Sequence, residues 1–204
     1  MSVENETMNE TLKYYDKNAE AFAKSTEEIE FSEIQGMFLS ELKPGTSILD
    51  FGCGSGRDTR YFLRKGYQVT AIDGSGELCR IAERNTGIPV RNIDFNDFDE
   101  SDQYDGIWAC SSILHLPEKI LKNVMVHMEK ALHNSGIIYA SFKYGDFSGM
   151  RNGRYFTDFA EESFKTFIGE VELLAVEKIW VTNDVRPGRQ DEKWLNTIMR
   201  TVRN

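Results

Sequence analysis

The segment Asp50-Phe51-Gly52-Cys53-Gly54-Ser55-Gly56 constrains this chain more than any other stretch of its 204 residues. It follows the short apolar run SILDF (Ser47–Phe51), which is preceded by the breaker pair Pro44-Gly45. An apolar run bounded by breakers reads as a buried strand. The helical pattern TRYFLRKG comes next and ends on Gly66. Glycines between a strand and a helix allow positive φ and let the backbone approach a ligand closely. Such a loop alone fits many nucleotide-like ligands. Two details narrow it: the spacing is GxGxG rather than GxGxxG, and Asp50 stands two residues before the first glycine. A carboxylate there opposes a pyrophosphate and suits a cationic ligand, which disfavours an NAD-type oxidoreductase. Asp73 ends the next apolar run, YQVTAID, where a carboxylate can accept both hydroxyls of a ribose. Both aspartates also have the residue type of simple helix caps.

The rhythm around the loop is strand, turn, helix, repeated. SGELCRIAERN reads as a second helix and VRNIDF as a brief third strand. YDGIWACSS (Tyr104–Ser112) reads as a fourth strand, PEKILKNVMVHMEKALHN (Pro117–Asn134) as a long amphipathic helix, and SGIIYASFKYG (Ser135–Gly145) as a fifth strand. Alternating elements with strands apolar on both faces imply a mostly parallel sheet covered by helices on each side. The fold class expected is therefore α/β, a single Rossmann-like domain. Beyond Gly145, TDFAEESFKTFIG reads as a helix, and VELLAVEKIWVTND and KWLNTIMRTVRN as an antiparallel strand pair. Residues near 8–23 and 31–42 read as helices lying over the open strand ends. The expected layout is one domain over 1–204: an N-terminal helical cap (1–44), a cofactor-binding core (45–145), and a C-terminal helix and hairpin contributing to the acceptor site (146–204).

From Ser47 to about Tyr144 the chain resembles the class I S-adenosylmethionine (SAM)-dependent methyltransferases, and within them the small tellurite-resistance-like branch. LDFGCGSGRD resembles their first motif, AIDGS the second, VRNIDFNDF the third and YDGIWACSSILHL the fourth. The tail from GRYFT to DVRPGRQDEKWLN is similar to that branch as well. The resemblance implies a seven-stranded sheet of order 3-2-1-4-5-7-6 with the seventh strand antiparallel. It also implies SAM as cofactor, with S-adenosylhomocysteine (SAH) as its product. Carried over by residue, it sets the methionine part against Asp50, Gly52, Gly54 and Gly56, with Arg57 as the arginine of the GRD segment. Asp73 and Gly74 fall to the ribose, and Asp94 and Phe95 to the adenine, although Asp97, Asp99 and Asp102 crowd the same loop. Ala109 and Cys110 fall to the sulfonium region, and Tyr14 to a lid over the cofactor.

Acceptor-side candidates are Tyr15, His115, Arg151, Arg154, Arg186 and Arg189. His115 titrates near neutrality in water and so is also the candidate catalytic base, or else a wall residue. Leu12, Tyr15, Ala19 and Phe22 share one helical face, which reads as packing. The four arginines sit in two loops of an otherwise acidic protein. They could form an anion pocket, because guanidinium forks match oxyanions, or pair with surface acids. Acidic residues number 33 against 24 basic ones, a formal net charge of −9. That balance sets nucleic acid aside as partner. Three cysteines without a CxxC pair give no disulfide framework and no structural metal site. No apolar run is long enough to cross a bilayer, and the acidic start MSVENETMNE is no signal peptide. The expectation is a cytoplasmic monomer or homodimer moving methyl groups to a small-molecule acceptor, with an anionic one favoured. An RNA or protein methyltransferase of the same fold, and a non-catalytic SAM-binding module, are the alternatives.

Overall fold

The computed structural model describes residues 3–203; positions 1, 2 and 204 of the expected 1–204 span lie outside the described residues. The chain runs α1 (Val3–Thr26), α2 (Ser32–Leu39), β1 (Ser47–Phe51), α3 (Arg57–Arg64), β2 (Gln68–Asp73), α4 (Gly76–Thr86), β3 (Val90–Asn92), β4 (Tyr104–Ala109), α5 (Glu118–Ala131) and β5 (Leu132–Lys143). It continues through β6 (Ser148–Arg151), β7 (Arg154–Thr157), α6 (Glu161–Ile168), β8 (Leu174–Asn183) and β9 (Lys193–Thr201).

Seven strands form one sheet in the order β3-β2-β1-β4-β5-β9-β8. The first five are mutually parallel, and β9 runs antiparallel to both β5 and β8. With β8 and β9 counted as the sixth and seventh strands of the main sheet, this is the expected order. The central strands are buried on both faces; Ile48, Leu49, Ile107, Ile137 and Ile138 are fully enclosed. Trp108 and Tyr139 stack across β4 and β5 with ring centroids 4.0 Å apart at 15°. Such a pair contributes about 0.5–1.5 kcal/mol beyond its area burial. Each ring also needs a partner for its polar end: the Trp108 indole N–H donates to Asp58, and the Tyr139 hydroxyl to Asn196.

One boundary needs correction, and one element was not read. Helix α5 stops at Ala131 rather than Asn134, because Leu132 already pairs with Tyr104 as the start of β5. The tail segment around GRYFT is a second, two-stranded sheet made by β6 and β7. Its turn is Asn152-Gly153, with φ of 53° and 77°. Two positive φ values favour that dipeptide strongly in tight hairpins.

Helix α1 lies against α4 and over the carboxyl ends of the central strands. Ala19 and Ala23 pack on Leu78 and Ile81. The N-cap of α4, Ser75, receives the Leu78 N–H at 3.2 Å while its hydroxyl donates to Asp16 of α1 at 2.6 Å. One side chain thus caps the start of α4, at a gain of about 1 kcal/mol, and holds α1 in place. No described helix is long and apolar enough to cross a membrane.

Candidate active site

A cavity opens at the carboxyl ends of β1, β2, β4 and β5, where the loops after parallel strands converge. Its floor begins with the glycine loop. Gly52, Gly54 and Gly56 all have positive φ, at 84°, 57° and 84°. A Cβ on Gly52 would stand 2.3 Å from the Ser112 Cβ and 2.9 Å from the Phe95 ring. The Ser112 hydroxyl donates to the Phe51 carbonyl at 2.6 Å, which pins the loop after β4 to the end of β1. Gly52 is thus required both by conformation and by the close approach of two loops.

Asp73 ends β2 inside this cavity. One carboxylate oxygen accepts the Gly54 N–H at 2.8 Å, and the other accepts the Ser75 N–H at 2.8 Å. Burial pushes its pKa up to about 6, with the two backbone donors opposing. At neutral pH it is an anion that holds the glycine loop and keeps free lone pairs for further donors. Beyond it, Asp94 and Phe95 both line the cavity, and the Phe95 ring lies 4.5 Å from that of Phe51. Of the four aspartates in that stretch, Asp94 is the cavity residue: Asp99 pairs with Lys130 and Asp102 with Arg203, and neither they nor Asp97 reach the lining.

Asp50 behaves differently from the expectation. It is 2% exposed, absent from the cavity lining, and its carboxyl meets the Thr59 hydroxyl of α3 at 2.5 Å. Burial, reinforced by Asp58, raises its pKa to about 8. Its carboxyl supports the turn from beneath through Thr59 and does not face the cavity. Gly56 and Ala109 also lie outside the lining. A Cβ on Gly56 would strike Thr86 at 2.6 Å, so this glycine serves the packing of α3 on α4. Ala109 is fully buried in the sheet. Gly52, Gly54, Arg57, Gly74 and Cys110 do line the cavity.

Arg57 belongs to a buried polar cluster that sequence reading missed. Asp58 accepts from the Arg57 Nε at 2.7 Å, the Trp108 indole at 2.8 Å and the Gln35 amide at 2.7 Å. Burial alone would raise the Asp58 pKa; the Arg57 charge and these donors hold it below the ordinary value. The Arg57 guanidinium also lies 4.7 Å over the Phe31 ring. Ser111, another unforeseen wall residue, takes φ 54°, and its N–H donates to the Ser141 hydroxyl at 2.8 Å. A non-glycine residue in this region stores strain that surrounding contacts must hold, a pattern common at functional sites.

The other wall is built from α1, the turn after β4 and the β6–β7 hairpin. His115, 8% exposed, has Nδ1 at 2.6 Å from the Tyr155 carbonyl and Nε2 at 2.7 Å from the Tyr15 hydroxyl. Burial pushes its pKa down to about 3, with the charges of Arg154 and Arg151 acting in the same direction. A neutral, immobilised imidazole of that pKa is a poor general base at neutral pH. Of the two tyrosines, only Tyr14 departs from its expected place. Tyr15 lines the cavity, as do Leu12 and Phe22 from the same helical face, whereas Tyr14 lies outside it. Tyr14 instead forms an aromatic face 4.6 Å from the Arg154 guanidinium carbon.

Three of the four arginines line the cavity, and Arg151 does not. Arg151 is held bidentate by Asp158 and is absent from the lining. Arg186 and Arg189 line the far end of the cavity but are ion-paired with Asp184 and Glu192. Arg154 alone of the four has no carboxylate partner. It contacts the Tyr15 hydroxyl at 3.3 Å, rests against Tyr14 and Phe156, and has a buried Nε without a hydrogen bond. Lys143, also on the far wall, lies 4.0 Å over the Trp194 ring and is paired with Asp184 and Glu192. Among the described residues no group of His, Cys, Asp and Glu is arranged to hold a metal ion.

Comparison with known proteins agrees with this architecture. A family model described as "Methyltransferase domain" matches residues 48–136. The ubiquinone biosynthesis O-methyltransferase of Xanthomonas campestris pv. campestris is 30% identical over 84 residues, which cover 38% of this chain and 35% of that protein. The chain thus spans about a third of the length of that curated relative. Among solved structures, Burkholderia thailandensis 1,6-didemethyltoxoflavin-N1-methyltransferase, with bound 1,6-didemethyltoxoflavin and SAH, superposes with a TM-score of 0.82 at 17% identity, covering 100% of this chain and 92% of that one. A TehB-like SAM-dependent methyltransferase from Corynebacterium glutamicum gives 0.67 at 19% identity, covering 93% and 97%. The tellurite-resistance-like branch is therefore not singled out within the fold. Residues 48–136 match the methyltransferase-domain family, and the described chain around them has the fold of the class I SAM-dependent methyltransferases.

Proposed function

We propose that the protein binds SAM in this cavity and transfers its methyl group to a small anionic molecule. The observation that carries the cofactor reading is Asp73. It sits at the end of β2, accepts the Gly54 N–H, and retains lone pairs toward a cavity continued by Asp94 and Phe95. That sequence of groups fits a ribose followed by an adenine. Gly52 and Gly54 present backbone without side chains to the cavity, which fits a ligand chain lying against them.

Bound SAM supplies an activated methyl on a sulfonium, so an acceptor with an available lone pair reacts by in-line displacement. The task of this chain is to align that acceptor and exclude water. Helix α1 closes the cavity with Leu12, Tyr15 and Phe22. Arg154 offers an uncompensated positive charge on the wall beside Tyr15 and His115, which favours an acceptor arriving as an anion. With His115 held neutral and hydrogen-bonded on both nitrogens, an acceptor that is already ionised needs no base from the protein.

Calorimetry with SAH, SAM and NAD tests the cofactor: the first two should bind and NAD should not. Labelled SAM with fractionated small-molecule extract tests turnover. Arg154→Ala should raise acceptor KM with SAM affinity unchanged; an unchanged acceptor KM and kcat would remove the anionic acceptor from this reading.

A further inference from the structure

Hydrogen-bond polarity on the acceptor-side wall defines the ligand more narrowly than charge alone. The Tyr155 carbonyl can only accept, so His115 Nδ1 carries the proton of that 2.6 Å contact. A neutral imidazole protonated on Nδ1 leaves Nε2 as an acceptor. The 2.7 Å contact with Tyr15 is therefore an O–H donated from the phenol to His115. Tyr15 lines the cavity, and with its only proton committed its oxygen can only accept. The Arg154 Nη1 takes one of its lone pairs at 3.3 Å, and the other remains. Immediately beside it stands the Arg154 fork, which has one hydrogen-bond partner in the protein and no carboxylate. The rings of Tyr14 and Phe156, 4.6 and 5.2 Å from the guanidinium carbon, hold that fork in place.

Resting on the reading of this cavity as a SAM-dependent acceptor site, we propose that its occupant is an anion bearing a neutral O–H or N–H on an atom adjacent to the charged group. The anionic oxygen meets Arg154, and the neighbouring hydrogen meets the free lone pair of Tyr15. Ionised hydroxy acids, enol acids and N-heterocycles with an N–H beside an ionised oxygen have this pattern. An ammonium donor does not fit, because Arg154 repels it. Tyr15 and Arg154 are then specificity-determining residues, and His115 a positioning residue that orients the Tyr15 hydroxyl.

The test uses the full chain saturated with SAH and four probes: 2-hydroxybenzoate, 2-methoxybenzoate, benzoate and 2-hydroxybenzamide. 2-Hydroxybenzoate should bind about tenfold more tightly than each of the others, since each lacks either the donor or the charge. Tyr15→Phe should erase the preference for hydroxyl over methoxy while keeping that for carboxylate over amide. Arg154→Gln should erase the carboxylate preference, and Arg154→Lys should retain part of it. SAH affinity, unchanged in all three variants, shows that each is folded. Equal binding of the four probes, no binding of 2-hydroxybenzoate at millimolar concentration, or a Tyr15→Phe variant that still discriminates would overturn the proposal. So would a loss of SAH affinity in Arg154→Gln, which would assign the guanidinium to the cofactor's own carboxylate. Failure of the wild-type chain to bind SAH is a separate outcome and would sink the cofactor reading itself.

Discussion

The Tyr15 hydroxyl lies 2.7 Å from His115 Nε2, joining two residues separated by 100 positions in the chain. The opposite ring nitrogen is fixed by the Tyr155 carbonyl, so helix α1, the turn after β4 and the β6–β7 hairpin meet at one imidazole. This contact closes the wall opposite the glycine loop and sets which hydrogen-bond polarity the cavity displays.

His115 should remain neutral, with the proton on Nδ1, throughout the range in which histidines usually titrate. Its folded pKa, about 3, lies below the ordinary 6.5, so the unfolded chain binds a proton that the folded chain refuses as pH falls. Stability should therefore be lost with acidification below 6.5, this group contributing up to about 1.4 kcal/mol per pH unit. Urea denaturation from pH 7 to 4 should show a shallower slope in His115→Gln than in the wild type. Imidazole nitrogen shifts that titrate near 6.5 would contradict the assignment.

Asp73→Asn should weaken SAH binding about tenfold or more and cost about 1–3 kcal/mol of stability. The amide has one oxygen where the carboxylate uses two, so either the Gly54 or the Ser75 N–H loses its acceptor. Calorimetry and denaturant titration on the same sample measure both effects. Asp50→Asn should leave SAH affinity within about twofold, because Asp50 lies beneath the loop, outside the cavity, and its pKa is raised to about 8.

Two glycines with nearly the same φ should respond very differently to alanine. Gly52 (φ 84°) would place a Cβ 2.3 Å from Ser112, whereas Gly66 (φ 86°) has open space around it. Gly66→Ala should cost about 1–2 kcal/mol, the price of a left-handed alanine. Gly52→Ala should cost clearly more and abolish SAH binding, because one of the two packed loops must move. Equal losses in the two variants would mean that backbone conformation alone explains Gly52.

Asp58→Asn should destabilise the fold by about 3–5 kcal/mol, as expected when one partner of a buried ion pair is removed. It would leave the Arg57 guanidinium without its anion and disturb the donors from Trp108 and Gln35. The emission of Trp108, whose indole N–H donates to this carboxylate, gives a direct spectroscopic reading.

Local features were legible because their causes act within a few residues. A strand, three alternating glycines and a helix follow one another along the chain, and Asp73 ends its strand wherever that strand pairs. The Asn152-Gly153 turn was equally legible from its flanking residues, yet the hairpin it forms went unread. The expectation of Tyr14 as a lid failed for a different reason. Neighbours on a helix point about 100° apart, and only the position of α1 against α4 and β7 determines which ring enters the cavity.

By itself, the sequence determined the elements of the main sheet, its parallel strands with the reversed last one, and a glycine loop between Asp50 and Arg57. Only the tertiary structure decided which charged groups face the cavity. Asp50 and Arg57 are close in sequence, but one is buried under the loop and the other lines the cavity. Arg151, Arg154, Arg186 and Arg189 looked alike as residues in loops. Three of them found carboxylates, and Arg154 did not. The free energy of a guanidinium depends on what stands within a few ångströms of it, and those neighbours come from segments far apart in the chain.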